Sequence, residues 1–182
     1  MKGIITTNSG IHFDLRHPTK DMICIEDIAH HLSKLCRFTG AIDPFYSVAQ
    51  HSLYCSWLVP PEHALTALMH DSTEAYLGDV SKPLKQLLSD YQRLEKIIWA
   101  AICQKYDLPL VLPKEVKDAD AQAYVKERDH LFASSPGVDD GLHENMVCVK
   151  MPKKLIYPAI TQDVIKFRFL QRFRELMEKR NG

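Results

Sequence analysis

The chain has 182 residues, 46% hydrophobic and 25% charged, a balance that suits one globular core and excludes disordered and fibrous repeat classes. Lys plus Arg and Asp plus Glu both number 23, so the net charge is zero and a chain-wide basic coat for nucleic acid is excluded. No apolar run reaches the roughly 18 residues of a membrane span and the opening MKGIITTNSG lacks a signal-like apolar stretch, so the expected location is cytoplasmic, with no membrane partner.

In chain order, residues 3–15 hold two short apolar-rich runs around Asn8-Ser9-Gly10, the composition of a small hairpin. Ile25, Ile28, Ala29, Leu32, Leu35 and Cys36 then recur at three- and four-residue steps behind acidic Glu26 and Asp27, which predicts a helix running to near Gly40. A second helix is expected from about Ser47 to Leu58, ahead of Pro60-Pro61, and a third from about Glu62 to His70 or Asp71. Gly78 and Pro83 punctuate the stretch up to Leu87. An amphipathic stripe spans Leu87 to Tyr106, and Pro113 opens a helix to about Phe132. Residues 133–157, rich in Pro and Gly, read as an irregular excursion with a short extended piece at Met146–Val149; a basic amphipathic helix closes the chain from about Ala159 to Lys179.

The expected fold is therefore all-α, a single-domain helical bundle with a small N-terminal β-hairpin. The hairpin falls within residues 1–20, the helical core within 25–132, and the excursion and last helix within 133–182. Trp57, Trp99 and Tyr106 lie on apolar helical faces and read as core. Lys153-Lys154 and the series Arg168, Arg172 and Arg174 read as a solvated or subunit-contacting face. The five cysteines, Cys24, Cys36, Cys55, Cys103 and Cys148, are scattered without a CxxC pair, which suggests neither a disulfide framework nor a thiolate zinc site.

Seven of the nine histidines, His12, His17, His30, His31, His63, His130 and His143, have no acidic partner at a useful spacing and read as surface or satisfied structural residues. The other two differ. His70-Asp71 ends the apolar segment ALTALMHD, with Glu74 and Asp79 following; one further helical turn places positions 70, 71 and 74 on one stripe. Imidazole and carboxylates buried together are costly unless paired, and a divalent cation resolves that cost. His51 lies on the strongly apolar helix VAQHSLYCSWL and is expected to face inward as well.

The string HDSTEAYLGDVSKPLK, preceded by His51 and followed by Val116-Lys117-Asp118-Ala119-Asp120, resembles the HD-domain phosphohydrolase superfamily over roughly residues 25–125. Within it the likeness is to the small 5′-deoxynucleotidase-like group, which includes phage-encoded dATP triphosphohydrolases. The matching residues are Arg37-Phe38, Gln50-His51-Ser52, His70-Asp71, Glu74, Gly78-Asp79, Lys85 and Asp120. The resemblance implies an HD-type bundle in which His51, His70, Asp71 and Asp120 ligate a metal, with Asp118 a rival for the last place.

No histidine occurs from Ser72 to Ala119, where dinuclear HD branches supply extra ligands, so one ion is expected, with Mn, Co, Zn, Ni, Fe or Mg all admissible. Catalytic proton handling falls to Glu74 and Asp79, and phosphate binding to Arg37 and Lys85, with Lys82 as a helper. Phe38 would stack on a base or sugar, or serve as a core ring. The implied activity is metal-dependent cleavage of the 5′ phosphoester of a small (deoxy)nucleotide, as a monophosphate or a triphosphate. The alternative is a non-catalytic metal- or nucleotide-binding HD module. A stable nucleic-acid complex is not expected, and a homo-oligomer is.

Overall fold

The structure, a computed structural model, describes residues 3–132 and 160–182. Strands β1 (Ile4–Thr6) and β2 (His12–Asp14) pair antiparallel with Ile5 opposite Phe13. Their link closes with Gly10 N–H donating to the Thr7 carbonyl at 3.0 Å, at a φ of +85° that favours glycine. Phe13 is fully buried and stacks on Tyr76 at 4.0 Å. Two further contacts moor the turn. Buried Asp27 accepts from the Ser9 backbone N–H (2.7 Å) and hydroxyl (2.6 Å). The His31 ring donates from Nδ1 to the Ala75 carbonyl (2.6 Å) while Nε2 accepts from Asn8 N–H (3.2 Å).

Helix α1 (Ile25–Lys34) buries Ile28, Ala29 and Leu32. It stops short of the Gly40 terminus that its periodicity predicts, because tertiary pairing replaces its last turns. Arg37 N–H donates to the Tyr46 carbonyl (2.9 Å), Val48 N–H donates to the Leu35 carbonyl (3.1 Å), and Cys36 bridges antiparallel to Ser47. Arg37 therefore lies beyond the helix, in extended backbone. Phe38, Thr39 and Gly40 come next at φ of +56°, +55° and +76°, a left-handed run that is strained for the two non-glycine residues.

Helix α2 (Val48–Leu58) starts at a capping box in which the Ser47 hydroxyl accepts from Gln50 N–H and the Gln50 side chain accepts from Ser47 N–H. Val48 through Ser56 are all buried. A helix enclosed on every side must carry any polar residue inward, which is why His51 faces the interior. Fully buried α3 (Ala64–Met69) is succeeded by a turn, α4 (Glu74–Leu77) and α5 (Lys82–Leu87). The third helix thus ends before His70, and α5, with Pro83 at its start, is a separate helix that the apolar pattern does not predict.

Helices α6 (Ser89–Tyr106) and α7 (Lys114–Leu131) match the predicted segments, with Pro113 immediately ahead of α7. Helix α8 (Gln162–Asn181) packs across α1, α2 and α3. It is tied down by Arg172 donating to the Ser56 carbonyl (2.9 Å) and Arg180 donating to the Tyr106 carbonyl (2.7 Å). Arg172 thus works inside the molecule rather than on a free basic face.

The result is an all-α bundle with a two-stranded N-terminal hairpin. Tyr106 is buried against Phe173, and Trp57 and Trp99 pack on the core, as their helical positions predict. Among the described residues no helix is long and apolar enough to cross a membrane. The excursion at 133–157, its extended piece at 146–149, Cys148 and Lys153-Lys154 lie outside the described residues.

Candidate metal centre

Three segments deliver the polar groups. His51 projects from the middle of α2, His70 and Asp71 from the turn after α3, and Asp120 from the second turn of α7. His51 Nε2 lies 3.0 Å from Asp120 Oδ1 and 3.5 Å from Asp71 Oδ2; His70 Nε2 lies 3.3 Å from Asp71 Oδ2 and 3.8 Å from Asp120 Oδ1. Donors about 2.1 Å from a common ion sit about 2.9–3.4 Å apart at octahedral or tetrahedral angles, so these separations are near those of ligands already gathered.

The second nitrogen of each ring is spoken for. His51 Nδ1 meets Glu127 Oε1 at 2.7 Å, and His70 Nδ1 donates to the Ala67 carbonyl at 2.8 Å. With Nδ1 as the N–H, both Nε2 lone pairs confront carboxylates, a repulsive arrangement that a cation relieves. His70 Nε2 has no hydrogen-bond partner and is buried. Electrostatics agree. Desolvation and Arg37 oppose a charge on His51, yet Cys55, Glu127 and Asp120 hold its pKa well above the usual imidazole value. Burial works against ionised Asp120 too, but the two imidazoles keep it well below the usual carboxylate range. The cluster favours positive charge, which a divalent ion could supply. The donor set fits such an ion.

Two residues that sequence reading missed belong to this cluster. Cys55, fully buried one turn after His51, places Sγ 3.5 Å from His51 Nε2; ligand atoms of His51, Cys55, His70 and Asp120 lie within 4.8 Å of one another and could hold a metal ion. The i, i+4 spacing His51-x-x-x-Cys55 puts both side chains on one face of α2, a signal distinct from a CxxC pair. Glu127 was legible as the residue two turns beyond Asp120 on the same face of α7. Fully buried, it accepts from His51 and from the Tyr46 hydroxyl (3.0 Å) and lies 3.1 Å from Arg37 Nε.

Arg37, largely buried, has its guanidinium beside Glu127 and 3.7 Å from Asp71, and over the Phe38 ring at 5.5 Å. Phe38, partly buried against the core, packs edge-on against Phe132 (5.3 Å) and beside Tyr124 (6.0 Å). Buried Glu74 has one carboxylate oxygen without a partner and the other 3.9 Å from Lys85 Nζ. Burial, then the charges of Asp71 and Asp79, push its pKa well above the usual value; burial also raises Asp79. Lys85 is bound mainly to Glu95 at 2.6 Å, and Lys82 is exposed at the start of α5. Asp118 pairs with Lys114 on the outer face of α7, so the choice between Asp118 and Asp120 falls to Asp120 on geometry.

No protein-family model matches the chain. Over 137 residues it is 52% identical to the uncharacterized protein YfdR of Escherichia coli (strain K12), spanning 75% of this chain and 74% of that protein. An uncharacterized protein of Rhodobacter capsulatus is 39% identical over 121 residues, spanning 61% of this chain and 62% of its own length.

Proposed function

The chain belongs to the family of YfdR, and we propose that it is an HD-type, metal-dependent phosphohydrolase that cleaves the 5′ phosphoester of (deoxy)nucleotides. The observation that carries this reading is the approach of His51 and His70 Nε2 to both Asp71 and Asp120, at 3.0–3.8 Å, from three separate segments. In this reading those four residues hold one divalent cation. When bound, such an ion supplies a nucleophile by acidifying water and polarises a phosphoryl oxygen.

The protein's own groups then have distinct tasks. Glu127 and the Ala67 carbonyl keep the two imidazoles in the tautomer that leaves Nε2 free to ligate. Arg37 supports Asp71 from behind, and Lys85 lies near Glu74 with a positive charge suited to a phosphate oxygen. Hydrolysis adds water to phosphorus and breaks the bond to the sugar 5′ oxygen, so one proton must leave the water and one must reach the departing oxygen. Glu74 and Asp79, both acids with raised affinity for protons, are the pair assigned to that transfer. A purely structural site has no use for two such acids beside four ligands.

The test incubates the protein with dAMP or dATP and each of Mn, Co, Zn and Mg, and separates the products. Divalent-dependent release of nucleoside is expected, accompanied by phosphate from the monophosphate or tripolyphosphate from the triphosphate. Glu74→Gln should keep its metal and lose at least about 100-fold in turnover. Metal-loaded, folded protein that frees no nucleoside from either substrate overturns the reading in favour of a non-catalytic module.

A further inference from the structure

We propose that Cys55 is a further, sulfur donor to the cation held by His51, His70, Asp71 and Asp120, so that the centre takes a thiophilic divalent ion such as zinc, cobalt or ferrous iron in preference to magnesium. This deepens the metal-site reading above and rests on it.

Position is the first support. Cys55 lies four residues after His51 on α2, so both side chains leave the same face of one helix, and the thiol is fully buried. The distance is the second. With Zn–N about 2.05 Å and Zn–S about 2.3 Å, a nitrogen and a sulfur on one ion sit about 3.1–3.8 Å apart at angles between about 90° and 120°; Sγ to His51 Nε2 is 3.5 Å. The third support is independent of the cysteine: His70 Nε2 is buried without a hydrogen-bond partner, in the group whose ligand atoms, Cys55 Sγ among them, all lie within 4.8 Å of one another.

The surroundings of the thiol also differ from those of an ordinary core cysteine, which sits among apolar side chains. Cys55 faces an imidazole, and the Ala119 carbonyl is 4.0 Å from its sulfur. On binding, the S–H bond breaks, the proton passes to solvent, and the sulfur lone pair forms the bond to the ion. Magnesium prefers oxygen donors and retains its waters, whereas a thiolate favours softer ions.

The protein stripped with a chelator is titrated with Co(II) and monitored by absorption. Wild type should show both ligand-field bands and a near-ultraviolet thiolate-to-cobalt charge-transfer band. Cys55→Ser should keep the ligand-field bands and lose the charge-transfer band although Cys24, Cys36, Cys103 and Cys148 remain. Its Zn(II) affinity should fall at least about tenfold while Mn(II) affinity changes less. Cys55→Ala provides the same comparison should serine perturb folding, which circular dichroism checks. Ligand-field bands in wild type without the charge-transfer band overturn the sulfur donor and leave the His/Asp centre standing. So does a charge-transfer band that survives in both variants. Wild type that binds none of the three ions overturns both.

Discussion

Replacing Glu127 by Gln is the most demanding test of how the centre is built. The carboxylate is fully buried and serves three partners at once: His51 Nδ1 at 2.7 Å, the Tyr46 hydroxyl at 3.0 Å and Arg37 Nε at 3.1 Å. Glutamine preserves the shape but has one acceptor oxygen, and its NH2 would face a donor. Removing one partner of a buried charge pair costs about 3–5 kcal/mol; because Asp71, 3.7 Å from Arg37, still compensates part of the guanidinium charge, the lower end, about 3 kcal/mol, is expected. For a chain of this size that is a fall of about 6–12 °C in Tm. The same substitution frees the His51 ring to rotate or change tautomer, so divalent affinity should drop about 10- to 100-fold. Urea unfolding at neutral pH gives the first quantity and competition with a chelating dye gives the second. A variant within about 1 kcal/mol of wild type with unchanged affinity refutes the claim that Glu127 orients His51.

Three other outcomes are expected. Asp118→Asn should leave metal content intact and alter stability by less than about 0.5 kcal/mol, since it removes only an exposed i, i+4 pair with Lys114, whereas Asp120→Asn should abolish retention of metal measured by atomic absorption. Asp27→Asn should lose about 1–2 kcal/mol at pH 7. Burial alone would raise the pKa of Asp27, but hydrogen bonds from Ser9 and Thr7 hold it below its ordinary value. Its stabilisation is therefore complete above the unfolded carboxylate pKa, near 3.9, and disappears as pH falls through the lower folded value; urea unfolding of the two proteins should converge there, and a gap unchanged at the lowest pH would count against it. Gly78→Ala should lower Tm, because Gly78 sits at φ +81°, ψ 157° where an L residue is strained by about 1–3 kcal/mol, although its absent Cβ would meet no atom within 4 Å. Wild-type Tm in that variant would show the backbone relaxing at no cost.

The parts of the molecule that were legible in the sequence share one property: their signals are local. Asn8-Ser9-Gly10, the start of α2 near Ser47, Pro113 and the apolar stripe of α6 each describe structure within a few residues. The gathering of His51, His70, Asp71 and Asp120 was anticipated through the HD resemblance, and geometry separates Asp120 from Asp118. The features that escaped depend on contacts distant in the chain. The end of α1 is decided by Tyr46 and Val48, which take up the backbone of Leu35 and Arg37. Spacing puts Cys55 on the face of His51 and Glu127 on the face of Asp120, but that these two faces meet depends on how α2 packs against α7. Arg37 was expected to bind phosphate; what its sequence position does not show is that its guanidinium lies 3.1 Å from Glu127 and 3.7 Å from Asp71.

The small N-terminal hairpin acquires a role through one imidazole. His31 joins Asn8 in the turn to the carbonyl of Ala75, the residue directly after Glu74. That joint uses a ring that donates on one side and accepts on the other, which neither a lysine nor a carboxylate can do at both ends. A segment with only three residues in each strand thus acts as a handle on the backbone beside the acid assigned to proton transfer, and shortening or tagging the chain at its first strand would be felt at the far end of that lever.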